Sequence, residues 1–277
     1  MLLKRALLYV VLMSASALAV APVLAREGVE VGKESAFANL VPAAEVEQSA
    51  RQQYAQMLKE AGSKNALGPD DHPQVQRLRR IAKELIPFAL QWNPRAKDWA
   101  WEVNLIGSNQ INAFCMPGGK IAFYTGILSQ LKLTDDEVAM VMGHEIAHAL
   151  REHARERMGK SVATDGLARI GSTIAAAAFG INPNLTDFVA RQGANLITLK
   201  FSRDDETEAD LVGMELAARA GYNPESGVSL WQKMSEANKG APPQWLSTHP
   251  SGNSRIQEIQ ANLGKVMPLY ERAKATK

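Results

Sequence analysis

One helical segment near the middle of the chain constrains the fold most. The residues Thr134–Glu137 form the pattern of a capping box, which fixes the start of a helix. Residues 138–142 are all apolar, so we expect this helix to be buried on all sides. His144, Glu145 and His148 come next in the same helix. Because buried polar side chains without partners are costly, these three need a common partner.

The spacing of the two histidines suits a bound metal ion. His144 and His148 are four residues apart, so on a helix they stand about one turn apart on one face, close enough to bind one Zn²⁺. Glu145 lies beside them, and a carboxylate there can take the proton of a zinc-bound water, whose pKa falls to about 7. The alternative is a polar turn of a surface helix, which the apolar residues before it disfavour. The segment predicts one zinc ion per chain.

A zinc site of this kind needs a third protein ligand. The metzincin pattern requires a glycine at the third and a histidine at the sixth position after His148, where this chain has Arg151 and Ala154. The alternative is a carboxylate from a following helix, and Glu206 and Asp210 are four residues apart on one face of such a helix. One of them would bind zinc while the other accepts the outer N–H of a ligating imidazole. The spacing leaves open which is which.

Two nearby side chains are not expected in the site. If the helix that carries His144 and His148 continues to about Met158, His153 lies half a helical turn away from His144 around the helix axis. Glu208 points away from the face shared by the other two acidic residues of its helix. Neither is therefore predicted as a ligand.

The remaining periodicities predict an α+β fold that is mostly α-helical. Helix formers dominate residues 43–62, and apolar residues recur at helical spacing over 75–86. Short apolar runs separated by turns over 99–124 indicate two or three strands in a small antiparallel sheet. Residues 162–180 are small and apolar and predict a buried helix or hairpin arm. Ser202 caps a further helix, and the small sheet is expected to pack on the zinc-binding helix.

The start of the chain has the layout of a secretory signal peptide. Two basic residues precede an uncharged stretch over 6–25, and the small residues before Arg26 suit cleavage after Ala25. The alternative is an uncleaved anchor, because about twenty apolar residues can span a bilayer. No cysteine follows the apolar stretch, so the chain is not expected to be a lipoprotein. These features predict a periplasmic protein.

The sequence patterns divide the chain into three predicted segments, and the charge balance argues against a nucleic-acid partner. Residues 1–25 form the predicted signal peptide, 26–70 an N-terminal extension with a helix, and 71–277 a zinc-binding domain. Without the signal peptide 29 basic residues face 29 acidic ones, so no charge excess indicates a nucleic-acid partner. Cys115 is the only cysteine, which excludes an internal disulfide and makes a cysteine-rich structural zinc site a poor alternative.

Several separated motifs, in order along residues 75–262, resemble those of a known family. They are Asn112-Ala113-Phe114 followed by Pro117-Gly118-Gly119, GHEIAHALREH at 143–153, ETEAD at 206–210, and Thr248-His249-Pro250 followed by Arg255. On these motifs the chain resembles the HtpX and CAAX-prenyl-protease type zinc peptidases, metallopeptidase family forty-eight. It departs from the membrane-embedded members by lacking their several transmembrane helices, so prenylated substrates are not expected. It is most similar to the small periplasmic single-domain branch.

The resemblance implies a zincin-like zinc endopeptidase of the bacterial cell envelope that acts in protein quality control. It implies that Glu206 is the third zinc ligand and that Asp210 supports an imidazole. Asn112, Ala113 and Phe114 would form a strand that borders the cleft, where an extended substrate can pair with the strand edge.

The resemblance also implies that His249 lies near the metal, where a neutral imidazole has two alternative tasks. It can occupy the open fourth position as a latch, or donate a hydrogen bond to the oxyanion formed on attack. Arg255 could anchor the His249 loop or help to bind that oxyanion.

The expected partners are protein or peptide substrates, and a peripheral membrane or outer-membrane assembly contact is a further candidate. The alternative from another functional class is a chaperone-like protein that holds envelope clients in the same cleft with little turnover. The sequence predicts neither the oligomeric state nor the identity of the substrate.

Overall fold

The computed structural model describes residues 26–170, 196–239, 243–249 and 253–276. The predicted signal peptide, residues 1–25, lies outside these residues, and so does the predicted buried helix of residues 162–180 beyond residue 170. Among the helices described, none combines the length and the apolar content that a membrane span requires.

The predicted α+β, mostly helical fold is confirmed. The helices are α1 Ala43–Ser63, α2 Pro73–Leu85, α3 Thr125–Gln130, α4 Asp135–Leu150, α5 His153–Ile170, α6 Arg203–Arg219, α7 Ser226–Ala237, α8 Gln244–Thr248 and α9 Asn253–Ala275. The strands are β1 Glu102–Ile106, β2 Ala113–Met116 and β3 Lys120–Tyr124. Short 3-10 turns lie at Ala36–Leu40, Ile86–Gln91, Pro94–Asp98 and Leu196–Thr198.

The sheet is mixed, so the prediction of a purely antiparallel sheet is wrong for one of its two pairings. The strand order is β1-β3-β2, with β3 antiparallel to β2 and parallel to β1. Residues 117–119 form a turn too short for anything but a hairpin, and Gly118 and Gly119 take positive φ angles of 82° and 78° there. Strand β1 pairs with the hairpin on its β3 side, and β2 is left at the edge.

The sheet separates two apolar layers. Ile121 and Phe123 face the larger core, which includes apolar residues of α2 and α4. Ala122 and Phe114 face the smaller core under α1. Tyr54 of α1 donates a hydrogen bond of 2.5 Å to the carbonyl oxygen of Ile121, so the helix of the predicted N-terminal extension packs directly on the sheet.

Helices α4 and α6 approach so closely that their backbones touch. A Cβ atom on Gly143 would lie 2.6 Å from the carbonyl oxygen of Gly213, and a Cβ on Gly213 would lie 2.5 Å from the amide nitrogen of His144. Neither position can accept a larger side chain without separating the helices. This close approach brings Glu206 and Asp210 of α6 to the histidines of α4.

Candidate metal centre

Four buried side chains converge at the contact between α4, α6 and the end of α8. His144, His148, Glu206 and His249 each offer one ligand atom, and these four atoms lie within 4.8 Å of one another. His144 Nε2 lies 3.0 Å from His148 Nε2 and 3.2 Å from His249 Nδ1. Donor atoms at the corners of a zinc tetrahedron with bonds of about 2.0–2.1 Å would be about 3.3–3.4 Å apart. The cluster therefore has the dimensions of a zinc site.

Glu206 completes this cluster from α6. Its carboxylate oxygens lie 3.6 Å from Nε2 of His144 and 3.6 Å from Nε2 of His148, and 3.0 Å from Nδ1 of His249. Burial raises the pKa of Glu206 to about 7, although the charges of His144 and Arg255 oppose the rise. A metal ion in the cluster would supply the positive charge that a buried carboxylate needs to stay ionised.

Asp210 holds His144 in the tautomer that a metal requires. Its Oδ1 atom lies 3.0 Å from Nδ1 of His144. Burial alone would raise the pKa of Asp210, but the Arg255 charge and the hydrogen bonds from His144 and Arg255 hold it at about 2, so this carboxylate only accepts. The His144 Nδ1 atom must therefore carry the proton, and Nε2 turns a lone pair into the cluster.

Arg255 lies behind the two carboxylates of α6. Its Nε donates to Asp210 Oδ2 at 2.6 Å, and its Nη1 donates to Glu206 Oε2 at 2.5 Å. The guanidinium also stacks over the Trp231 ring, with Cζ 3.8 Å from the ring centre, and the residue is only 4% exposed. These contacts suit Arg255 to fixing the positions of both carboxylates.

A hydrogen-bonded partner that the sequence did not indicate stands behind His148. His148 Nδ1 lies 2.9 Å from His153 Nδ1, and His153 Nε2 lies 2.8 Å from Glu208 Oε2. The predicted continuous helix through Met158 is wrong, because α4 ends at Leu150 and Glu152 takes a positive φ of 56° before α5 begins. That turn brings His153 back beneath His148. Helical spacing could not reveal it.

Glu145 lines the cavity beside the cluster and has a partner that the sequence did not indicate. The indole Nε1 of Trp245 donates to Glu145 Oε1 at 2.6 Å. Burial raises the pKa of Glu145 to about 7, although the His249 charge and the Trp245 hydrogen bond oppose the rise. Such a carboxyl exchanges its proton near neutral pH, as a general base must. A lone tryptophan in the short helix α8 gives no sequence signal for this role.

His249 follows α8 directly and lies inside the cluster of possible ligands. Its backbone N–H donates to the Trp245 carbonyl at 2.9 Å, and its ring stacks on the Trp245 ring at 4.9 Å. Burial lowers the pKa of His249 to about 3, although the charge of Glu145 opposes the fall. The imidazole is therefore neutral, the form that either binds a metal or donates to an oxyanion.

The predicted substrate strand borders the same centre. Asn112, Ala113 and Phe114 line a cavity of about 30 Å³ together with Glu145 and other residues of the cluster. That volume holds about one water molecule. The remaining lining residues include Cys115, His148, Leu196, Leu199, Phe201 and His249. Strand β2 is an edge strand of the sheet, and its residues 113–116 line this cavity.

Comparison with known proteins identifies related chains. The profile of peptidase family M48 matches residues 73–263. The mitochondrial metalloendopeptidase OMA1 of Schizosaccharomyces pombe is 32% identical over 213 residues, which are 76% of this chain and 59% of that protein. Metalloprotease LoiP of Escherichia coli is 28% identical over 206 residues, 74% of this chain and 77% of that protein.

A third relative, the beta-barrel assembly-enhancing protease of Yersinia pestis, is 28% identical over 174 residues, 59% of this chain and 35% of that protein. The matches to the OMA1 proteins of Schizosaccharomyces pombe, Arabidopsis thaliana and Saccharomyces cerevisiae span between 35% and 60% of the relatives' lengths. The chain therefore corresponds to only part of each of these three relatives.

Proposed function

Because the chain belongs to peptidase family M48, we propose that it is a zinc-dependent endopeptidase of the bacterial cell envelope. Its substrates are misfolded or misassembled envelope proteins, and its task is protein quality control. The observation that carries the proposal is the buried cluster of His144, His148 and Glu206 with Glu145 beside it. Three lone-pair donors with the spacing of a zinc tetrahedron, next to a carboxyl that can exchange a proton, suit metal-assisted hydrolysis of peptide bonds.

In the proposed mechanism His144, His148 and Glu206 would hold the zinc ion. Zinc, when bound, supplies Lewis acidity toward the scissile carbonyl and the attacking water. Glu145 accepts a proton from that water on its carboxylate and returns the proton to the leaving amine. The Trp245 N–H fixes the orientation of the Glu145 carboxylate during both transfers. Arg255 positions the Glu206 carboxylate through its Nη1 hydrogen bond.

His249 is proposed to act as a latch. Its Nδ1 atom, 3.0 Å from Glu206 and 3.2 Å from His144 Nε2, suits it to the fourth ligand position, where the attacking water must otherwise sit. The small cavity fits a restrained site, because a peptide does not enter a space that holds about one water molecule. Stabilisation of the oxyanion by His249 is the alternative role.

An extended substrate is proposed to pair with the edge of β2 at Ala113 and Phe114 and with Asn112 just before the strand. Main-chain hydrogen bonds to an edge strand give affinity without demanding a particular sequence, which suits a quality-control protease. Leu196 and Phe201 line the same cavity, so a substrate at the strand would also contact these apolar side chains.

Location in the envelope rests on the predicted signal peptide and on the bacterial relatives. One relative is named for β-barrel assembly, which makes contact with an outer-membrane assembly machine a candidate partnership for this chain. N-terminal sequencing of the protein from the envelope fraction should begin at Arg26. An intact Met1 in that fraction would mean that the N-terminal segment is not cleaved and anchors the protein in the membrane.

Proteolysis is tested by incubating the purified chain with β-casein in the presence and absence of a zinc chelator. We expect cleavage that the chelator abolishes and that added Zn²⁺ restores. Protection of a denatured client from aggregation without any cleavage would instead identify a chaperone-like protein. Cleavage that survives complete removal of zinc would reject the metal mechanism.

A further inference from the structure

His148 is held from behind by a chain of side chains that the proposed mechanism does not use. His148 Nδ1 lies 2.9 Å from His153 Nδ1, and His153 Nε2 lies 2.8 Å from Glu208 Oε2. Arg151 Nη2 lies 2.9 Å from Glu208 Oε1, so the guanidinium closes the chain. His148 and His153 are 3% and 1% exposed, so water does not compete for the hydrogen bonds between them.

The direction of these hydrogen bonds follows from the chemistry of the last acceptor. Glu208, paired with Arg151, is an ionised carboxylate and only accepts, so His153 must carry its proton on Nε2. The Nδ1 atom of a neutral His153 is then a lone pair, and it can only accept from His148 Nδ1–H. His148 Nε2 is consequently left without a proton and turns its lone pair into the metal cluster.

We propose that His153, backed by Glu208 and Arg151, is a positioning residue that fixes the tautomer and ring orientation of His148 for zinc binding. The Phe201 ring stacks on the His148 ring at 4.0 Å, so the imidazole is held at its face by Phe201 and at its rear nitrogen by His153. The inference rests on the proposed zinc site. It adds a second orienting group to the one that Asp210 supplies for His144.

The backbone around His153 is arranged for this contact. Glu152 adopts a positive φ of 56°, which ends α4 and allows α5 to start at His153 in a new direction. Arg151 also donates to the carbonyl oxygen of Gly32 at 2.6 Å, which ties the chain of hydrogen bonds to the N-terminal segment. A strained backbone conformation next to the contact is expected where the surrounding structure dictates the position of a side chain.

The experiment measures zinc affinity by competition with a chromophoric chelator, using the exported chain and its variants. Removal of an orienting partner of a ligating histidine lowers metal affinity by about 10–100-fold, so we expect that loss for His153→Leu. His153→Asn should restore most of the affinity, because the Asn carbonyl oxygen can accept from His148 Nδ1–H in place of the imidazole nitrogen. Glu208→Ala, at a partly exposed position, should weaken zinc binding by less than His153→Leu.

Glu156→Gln is the matched control, because Glu156 lines the same surface groove as Glu208 but pairs with Lys160. It should keep the affinity of the original chain. Replacement of zinc by Co²⁺ gives a second readout, since a misoriented His148 changes the visible absorption bands of the bound ion, which a loss of stability alone would not do.

The outcomes separate the inference from the proposed function. Wild-type zinc affinity and an unchanged cobalt spectrum in His153→Leu would overturn the positioning role while leaving the protease proposal intact. Equal losses in His153→Leu and His153→Asn would also overturn it, because an acceptor alone should suffice. Absence of zinc binding in the unmodified chain would reject the proposed site itself.

Discussion

The two imidazoles of α4 are oriented by groups of side chains that differ in how deeply they are buried. Behind His144, Asp210 and Arg255 form an ion pair in which the residues are 5% and 4% exposed. Behind His148, the chain of hydrogen bonds passes through buried His153 to Glu208, whose side chain is 19% exposed. We call these the His144 relay (Asp210, Arg255) and the His148 relay (His153, Glu208, Arg151).

The difference shows that two groups with the same task, the orientation of a histidine, can differ in how much they contribute to the stability of the fold. Both relays place a proton on Nδ1 of a histidine and leave Nε2 bare, which is what a metal requires. Breaking a buried ion pair leaves an uncompensated charge in the core, whereas a partly exposed carboxylate can be replaced by water. The His144 relay should therefore support both the fold and the metal, and the His148 relay mainly the metal.

The largest effect is expected at Glu206, the carboxylate that meets both imidazoles. Glu206→Ala removes the proposed third ligand rather than an orienting group, so it should lose zinc outright and exceed the effect of breaking either relay. Zinc content after dialysis, measured by elemental analysis, checks this. Wild-type affinity in this variant would move the third ligand elsewhere.

His249 belongs to neither relay, so its replacement separates control of the reaction from retention of the metal. As a latch, its removal frees the fourth position, and His249→Ala should raise the rate of casein cleavage with zinc retained. If it stabilises the oxyanion instead, the same change should lower kcat by about 10²–10³-fold. Unchanged cleavage of both a short peptide and a folded protein would reject both roles.

A direct contrast between the relays comes from Asp210→Ala and Glu208→Ala. Asp210→Ala should weaken zinc binding by about 10–100-fold. It should also lower the free energy of unfolding of the metal-free chain by about 3 kcal/mol, because Arg255 stays buried without the Asp210 carboxylate, although it keeps its hydrogen bond to Glu206. Glu208→Ala should lower that free energy by less, because water can reach this 19% exposed position and solvate the groups that Glu208 contacts. Urea denaturation with chelator present measures both free energies of unfolding. Equal losses in the two variants would contradict the claim that the His144 relay supports the fold more than the His148 relay does.

The smallest effect is expected at Trp245, which orients Glu145 from outside the relays. Trp245→Phe removes a hydrogen bond that favours the ionised carboxylate, so the pKa of Glu145 should rise. The acid limb of the kcat/KM profile reports the ionisation of the base in the free enzyme, and it should move to higher pH by about one pH unit. If the acid limb of Trp245→Phe lies at the same pH as that of the unmodified chain, the limb does not report the ionisation of Glu145.

Local sequence signals predicted the part of the site that lies on single helices. The capping box at Thr134 and the four-residue spacing of His144 and His148 depend only on helix geometry, and the structure has both on α4. The family resemblance, rather than spacing, placed His249 beside them. His153 escaped because one residue with positive φ, Glu152, redirects the chain just before it.

Pairing between distant segments was also out of reach. The parallel pairing of β1 with β3 depends on which side of the hairpin the earlier strand takes, and no local pattern encodes that choice. Trp245 and Phe201 reach Glu145 and His148 through long-range packing. Their single apolar side chains give no periodic signal.

The most direct test of the account is the pair of zinc content and casein cleavage measured on the same preparation of Glu145→Gln. Gln has nearly the size of Glu and can still accept the Trp245 hydrogen bond, but it cannot take a proton from water. We expect one zinc per chain, an unchanged melting temperature and no cleavage above background. Cleavage at the rate of the unmodified chain, with zinc bound, would contradict the assignment of Glu145 as the general base of a zinc endopeptidase.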